Sequence, residues 1–240
     1  MVSVGKCLAY AVVAAVVGAA AGTVAARAAD DGRSPCTEDA MLVFDASGSM
    51  AGNGWGYGSE NPSAISRMDK VRLALAKLLP RVTRMRRVGL ITYGPGHYQQ
   101  CNVELDLKPT TNAARRILDV VNGLIPAGQT PLTEAVVQAA EVLDYRTKPG
   151  LIVVLTDGEE TCGGKPCNVG KQLHSNAFEL TIHVIGLRVK GLTWMGEQAV
   201  VETQCLAEEN GGLYVAVDTE QELIDGLEKT LGCPMLTQLP

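Results

Sequence analysis

Apolar positions change their spacing several times along this chain, and each change marks an element. Residues 40–45, AMLVFD, form a continuous apolar run that predicts a buried strand. Over 63–79, Ile65, Met68, Val71, Leu75, Leu78 and Leu79 recur at three- and four-residue steps, which predicts a helix. RVGLITYG (87–94) is a second strand. In 101–109, Val103, Leu105 and Leu107 alternate with polar neighbours, so a third strand is half exposed. The short PGHYQQ link before it predicts a hairpin, and hence an antiparallel strand at a sheet edge.

Helical spacing returns over 112–124, with Ile117, Leu118, Val121 and Leu124 facing inward. Another helix is predicted to open at Thr130-Pro131, with Pro131 at its first position, and to bury Leu132, Val136, Ala139, Ala140 and Leu143. GLIVVLTDG (150–158) holds the most apolar strand, LTIHVIGL (180–187) a fifth and LYVAVD (213–218) a sixth. A helix at about 196–209 separates the last two, and Thr219-Glu220-Gln221-Glu222 is a capping box for a final helix ending near Leu231. Continuous Val/Ile/Leu strands separated by helices imply an α/β fold whose mostly parallel sheet is covered on both faces. No repeat and no second domain interrupt the pattern, and the one low-complexity stretch is the Gly-rich segment AGNGWGYGSENPSA (51–64).

The first 28 residues differ in kind. One lysine, Lys6, precedes a long Ala/Val-rich run that ends in Ala26-Arg27-Ala28, an A-x-A cleavage pattern. The expectation is a signal peptide over 1–28, a lead-in over 29–37, one domain over 38–232 and a tail over 233–240. A retained membrane anchor is the alternative. Cys7 has no lipoprotein context. Cleavage would remove Lys6 and Arg27 and take the formal charge from −5 to −7. That acidity argues against nucleic acid, which needs a clustered basic face. The one basic cluster, Arg81, Arg84, Arg86 and Arg87, reads as a solvated connection.

Export to the periplasm or beyond changes the meaning of the cysteines. Without Cys7, Cys36, Cys101, Cys162, Cys167, Cys205 and Cys233 remain, an even set that predicts disulfides. Cys36 and Cys233 open and close the domain, and domain termini often lie together, so they are the first expected pair. The other four are left as Cys162–Cys167 with Cys101–Cys205, or a crossed alternative. Zinc is not expected, because no histidine has finger spacing to CGGKPC.

The candidate chemistry lies at strand ends. In open parallel sheets, ligands bind beyond the carboxyl ends of the strands. The first strand ends in Asp45, with Ser47 and Ser49 just after it; the fourth ends in Asp157, and Thr130 stands at a helix start. If those strands are neighbours, two carboxylates and three hydroxyls share one rim. An all-oxygen set selects a hard divalent cation, Mg²⁺ first and Mn²⁺ or Ca²⁺ as alternatives. Two carboxylates balance the ion's charge, and at least one coordination position would remain for an incoming acidic side chain.

These motifs together resemble the von Willebrand factor type A domain family. DASGS (45–49) is similar to its D-x-S-x-S motif, GQTPLTEA to its threonine loop and VVLTDGEE to its third metal motif. The resemblance runs over about residues 38–232. It implies a Rossmann-like, doubly wound sheet of order 3-2-1-4-5-6. It also implies a metal-ion-dependent adhesion site using Asp45, Ser47, Ser49, Thr130 and Asp157, and a protein partner presenting Asp or Glu. ETCGGKPC and ETQCLAEENGGLY resemble segments of exported bacterial members.

Thr133 is the competing threonine, and it is expected to sit one turn into its helix, away from the rim. Glu159 and Glu160 read as solvated loop acids, and His183 as a satisfied core histidine. Trp55, Tyr57 and Trp194 are candidate partner contacts, with packing over the loops as the equal alternative. An enzyme is not expected. The acid/base aspartate of haloacid-dehalogenase-type phosphatases would fall where Ser47 stands, and no G-x-S-x-G, Walker or metalloprotease motif occurs. Besides an interaction module, the resemblance allows an accessory role in assembling or metal-loading an exported enzyme of the methanol dehydrogenase type.

Overall fold

A computed structural model describes residues 36–52, 65–97, 100–187 and 196–233. Six strands, β1 (Asp39–Asp45), β2 (Val88–Tyr93), β3 (Val103–Thr110), β4 (Pro149–Thr156), β5 (Glu179–Leu187) and β6 (Tyr214–Val217), form one sheet of order β3-β2-β1-β4-β5-β6. Neighbours run parallel except β2 and β3, so β3 is the antiparallel edge that the short link before it predicted. The order reverses between β1 and β4, where a ligand crevice opens in such sheets.

Strand parity builds two cores. Ala40, Leu42 and Phe44 of β1 point to one face, covered by α1 (Arg67–Met85), α2 (Ala114–Gly123) and α6 (Glu220–Leu231). Met41 and Val43 point to the other, covered by α3 (Leu132–Val142), α4 (Pro166–Asn176) and α5 (Gly196–Glu208). All five of these β1 side chains are fully buried, and burying each of the four larger than Ala40 contributes about 1.5–3 kcal/mol. Leu132, Val136, Ala139, Ala140 and Leu143 are buried as the helical spacing predicted, and Thr219 and Glu222 form the predicted capping box.

Two helix boundaries are corrected and one helix is added. α1 does not stop at residue 79 but continues through Pro80 to Met85. A proline inside a helix leaves the carbonyl four residues back without its bond. Here Pro80 and Ala76 both lie on the exposed side of the helix, so the missing bond falls on its solvent face, while Val82 and Thr83 extend the buried stripe. α3 begins at Leu132, so Pro131 is its N-cap and not its first residue. α4 went unread because PCNVGKQLHSN carries a thin apolar stripe; Pro166, Gly170 and Leu173 are its buried residues.

The basic cluster is also not simply solvated. Arg86 is buried, donating to Cys36 Sγ at 3.4 Å and lying 3.5 Å from Glu38. Arg87 pairs with Asp39, and Arg81 with Glu228. Cys36 is bonded to Cys233, as expected for the domain's ends. The other four take the crossed arrangement, Cys101–Cys162 and Cys167–Cys205, and the local Cys162–Cys167 bridge does not form. The reason is directional. Glu160 accepts the Cys162 N–H at 2.7 Å and holds that residue at the rim, while α4 carries Cys167 against α5. With all six bridged, none is left as a thiolate ligand. Among the described residues no helix is long and apolar enough to cross a membrane; the expected leader lies outside them.

Candidate metal centre

Asp45 ends β1 in full burial, which is costly for a carboxylate without partners. Three groups hold it. The Ser47 N–H donates to Oδ1 at 2.8 Å, and Tyr93 Oη (3.0 Å) and Thr156 Oγ1 (2.8 Å) both donate to Oδ2. The positions follow from register. Asp45 lies opposite Tyr93 across the β1–β2 ladder, and Thr156 ends β4, the other neighbour of β1. Burial pushes the Asp45 carboxyl above its ordinary range, against the pull of these hydrogen bonds. Burial, then the Asp45 charge, raises the Tyr93 phenol and keeps it a donor.

The rim continues outward as a chain of oxygens. Ser47 is buried, and its Oγ lies 3.0 Å from Ser49 Oγ. Ser49 Oγ donates to Asp157 Oδ1 at 2.6 Å. The Asp157 side chain is wholly buried, and burial followed by repulsion from Asp45 lifts it to about 6. A methyl group built on Gly158 would touch Ser49 Oγ at 3.5 Å and Thr130 Oγ1 at 3.8 Å, so both hydroxyls face the backbone just past Asp157. All five expected ligand residues therefore gather past the ends of β1 and β4.

Close loop packing fixes this arrangement. The 3₁₀ turn Gly48–Ala51 follows Ser47 and plugs its buried Met50 into the core. Gly48 N–H donates to Gly128 O, and Gly128 N–H to Gly94 O. Gly94 has φ +76°, and a Cβ there would lie 2.6–2.7 Å from the backbone of Gln129 and Ser47. Only glycine lets the three loops meet this closely.

Thr130 is placed by Thr161, and Thr133 has a different task. Its N–H and its Oγ1 each donate to Glu160 Oε2 at 2.8 Å. Glu160 is thus a capping group for α3 and not a solvated acid; Glu159 is exposed as expected. His183 is half-buried on β5 and accepts the Leu213 N–H at Nδ1 (2.9 Å), as a satisfied histidine should. Trp55, Tyr57 and Trp194 lie outside the described residues. Tyr93 and Thr156 were not singled out in the sequence, although strand parity puts both on the Asp45 face. Arg67, whose Nη1 lies 2.8 Å from Asp157 Oδ2, also went unread, and no spacing in the sequence announces it.

The residues suit a hard cation: two buried carboxylates and three hydroxyls on one rim, short of compensating charge. Among the described residues no three His, Cys, Asp or Glu cluster, so hydroxyls are indispensable to any such site. A doubly wound sheet of this order defines a Rossmann-like α/β domain. Residues 40–160 match the von Willebrand factor type A domain, and the chain belongs to that family. It is 25% identical over 192 residues to an uncharacterized Bacillus subtilis (strain 168) protein, YwmC, covering 76% of this chain and 78% of that one. The fold is similar to that of an aerotolerance-related membrane protein from Bacteroides fragilis. There the TM-score is 0.53 at 19% identity, over 81% of this chain and 98% of that one. A von Willebrand factor type A structure from Catenulispora acidiphila gives a TM-score of 0.55 at 15% identity, over 82% of this chain and 42% of that one.

Proposed function

We propose that this chain is an extracytoplasmic interaction module. It would bind an Asp or Glu carboxylate of a partner protein through a divalent cation, Mg²⁺ in the first instance. The observation that carries this reading is the continuous hydrogen-bonded set from Tyr93 and Thr156 through Asp45, Ser47 and Ser49 to Asp157. Type A domains are typically protein-interaction modules, which supports a binding role over a catalytic one.

Asp45, Ser47, Ser49, Thr130 and Asp157 would hold the ion, which supplies a Lewis-acid position for the incoming carboxylate. The protein's own part is orientation. Tyr93 and Thr156 leave Asp45 no rotational freedom, and the Ser47 N–H fixes its other oxygen. The Ser49 hydroxyl sits between the two motif loops and sets their spacing. Three disulfides suit an oxidising compartment.

Affinity capture tests the reading. The chain, produced in an oxidising compartment, is used as bait with Mg²⁺, with EDTA, and as Asp45→Ala with Mg²⁺. The expected result is a partner held only in the first sample. A partner held equally in all three would overturn metal bridging. An exported metalloenzyme as the metal-dependent partner would specify an accessory role.

A further inference from the structure

Arg67 is the first residue of α1, and its guanidinium turns into the rim instead of out to water. The side chain is only 14% exposed. Its Nη1 donates to Asp157 Oδ2 at 2.8 Å and to Ser49 O at 2.6 Å, so one nitrogen joins both motif loops. Its backbone is pinned as well. The Arg67 N–H donates to Gly52 O (3.2 Å), and Ser66 caps the helix by accepting from Asp69 N. A Cβ at Gly52 would lie 3.1 Å from Nη1, so the loop passes directly over the charged group.

Charge then limits what the rim can hold. Asp45 and Asp157 bring two negative charges and Arg67 one positive. Among these three groups, with both carboxylates ionised, the metal-free rim keeps one negative charge in excess, beside a wholly buried carboxylate. A divalent ion reverses the sign and leaves one positive charge, which one partner carboxylate cancels. The ion must also take Asp157 from a partner already in contact with it. Repulsion between a guanidinium and a nearby dication is substantial at the dielectric of a half-buried site.

We propose that Arg67 is a tethered counter-cation that competes with the divalent ion for Asp157. It would keep the metal-free rim folded, weaken the ion's binding on its own, and reserve full occupancy for the state in which a partner carboxylate is present. This rests on the metal-site reading above.

Mg²⁺ titration calorimetry on the full chain tests it, with melting followed in EDTA and in saturating Mg²⁺. The variants are Arg67→Gln and Arg67→Met, which remove the charge, Arg67→Lys, which keeps it, and Asp45→Ala. Both neutral variants should bind Mg²⁺ about tenfold more tightly than the natural chain, and Arg67→Lys should stay near it. The neutral variants should melt below the natural chain in EDTA and recover in Mg²⁺. A structural role alone would lower melting in both conditions and leave the affinity unchanged.

Equal or weaker Mg²⁺ binding by the neutral variants, with binding abolished in Asp45→Ala, would overturn the competition and leave the metal site standing. Absence of Mg²⁺ binding in every variant and in the natural chain would overturn both. Failure of both neutral variants to fold even in Mg²⁺ would also overturn the proposal, because the ion should replace the charge removed.

Discussion

Thr161 holds Thr130 by two hydrogen bonds: its N–H donates to Thr130 O at 3.1 Å, and its Oγ1 accepts the Thr130 N–H at 2.8 Å. The threonine loop is thereby tied to the segment that follows Asp157, and two candidate ligands are positioned as one unit. Thr161→Val removes the second bond and keeps the shape. It should cost about 1 kcal/mol in denaturant unfolding. It should also weaken Mg²⁺ binding without abolishing it, whereas Asp157→Ala should abolish it. Unchanged affinity in Thr161→Val would show that the tie does not position Thr130.

Glu160 offers a test of stability that spares the candidate ligands. Its carboxylate takes the Thr133 N–H and hydroxyl and the Cys162 N–H, so it closes the start of α3 from across the rim. Losing an N-terminal capping group costs about 0.5–2 kcal/mol, and buried donors left without a partner add to that. Glu160→Ala should therefore unfold about 1–3 kcal/mol more easily. Thr133→Ala should be less than additive with it, because both remove the Thr133 hydroxyl bond to Glu160. Full additivity in that double-mutant cycle would refute the hydroxyl contact, and an unchanged stability in Glu160→Ala the capping role.

The strands were legible because each rests on a local, repeating signal, whereas the sheet order came from the resemblance of the motifs to the type A family and the five rim residues from strand ends and those same motifs. Parity within 40–45 places Leu42 and Phe44 opposite Met41 and Val43, and the strand ends in a charge that such a strand cannot otherwise tolerate. What stayed hidden depends on tertiary contact. Arg67 reaches Ser49 and Asp157 from the start of α1, and nothing near it in sequence marks that reach. Glu160 looks like any loop acid until α3 is known to start beside it. Pro80 signals a helix end only if its face is buried, and it is exposed. Cys36–Cys233 was legible from the domain's ends, while the pairing of the other four stayed open for the same tertiary reason: α4, thin in apolar residues, carries Cys167 away from its sequence neighbour Cys162.

The crossed bridges give a direct prediction. Non-reducing peptide mapping should recover Cys101 joined to Cys162 and Cys167 joined to Cys205; a Cys162–Cys167 peptide would contradict the structure. Cys101–Cys162 joins the approach to β3 to the segment after Asp157, beside the rim, and spans 61 residues. Its removal as a Cys101→Ser, Cys162→Ser pair should cost about 2–4 kcal/mol of stability in denaturant. Removal of Cys36–Cys233, which spans 197 residues, should cost about the same or somewhat more, since the loop-length dependence is only logarithmic.

His183 makes stability depend on pH in a known direction. Burial, then the nearby Arg86 charge, lowers its pKa from the ordinary 6.5, and its Nδ1 is committed to accepting the Leu213 N–H. The folded chain therefore prefers the neutral ring, while the unfolded chain takes up a proton near 6.5. Between the lowered value and 6.5 the unfolded state binds more protons, so stability rises with pH across that window. The contribution is fully present above 6.5 and is lost as pH falls through the folded value. Asn can offer an acceptor near the same place and does not titrate. His183→Asn should accordingly flatten the decline in unfolding free energy as pH drops from 7 towards 5, so that the gap between the two proteins changes across that range. A decline of equal slope in both would assign the pH dependence to other groups.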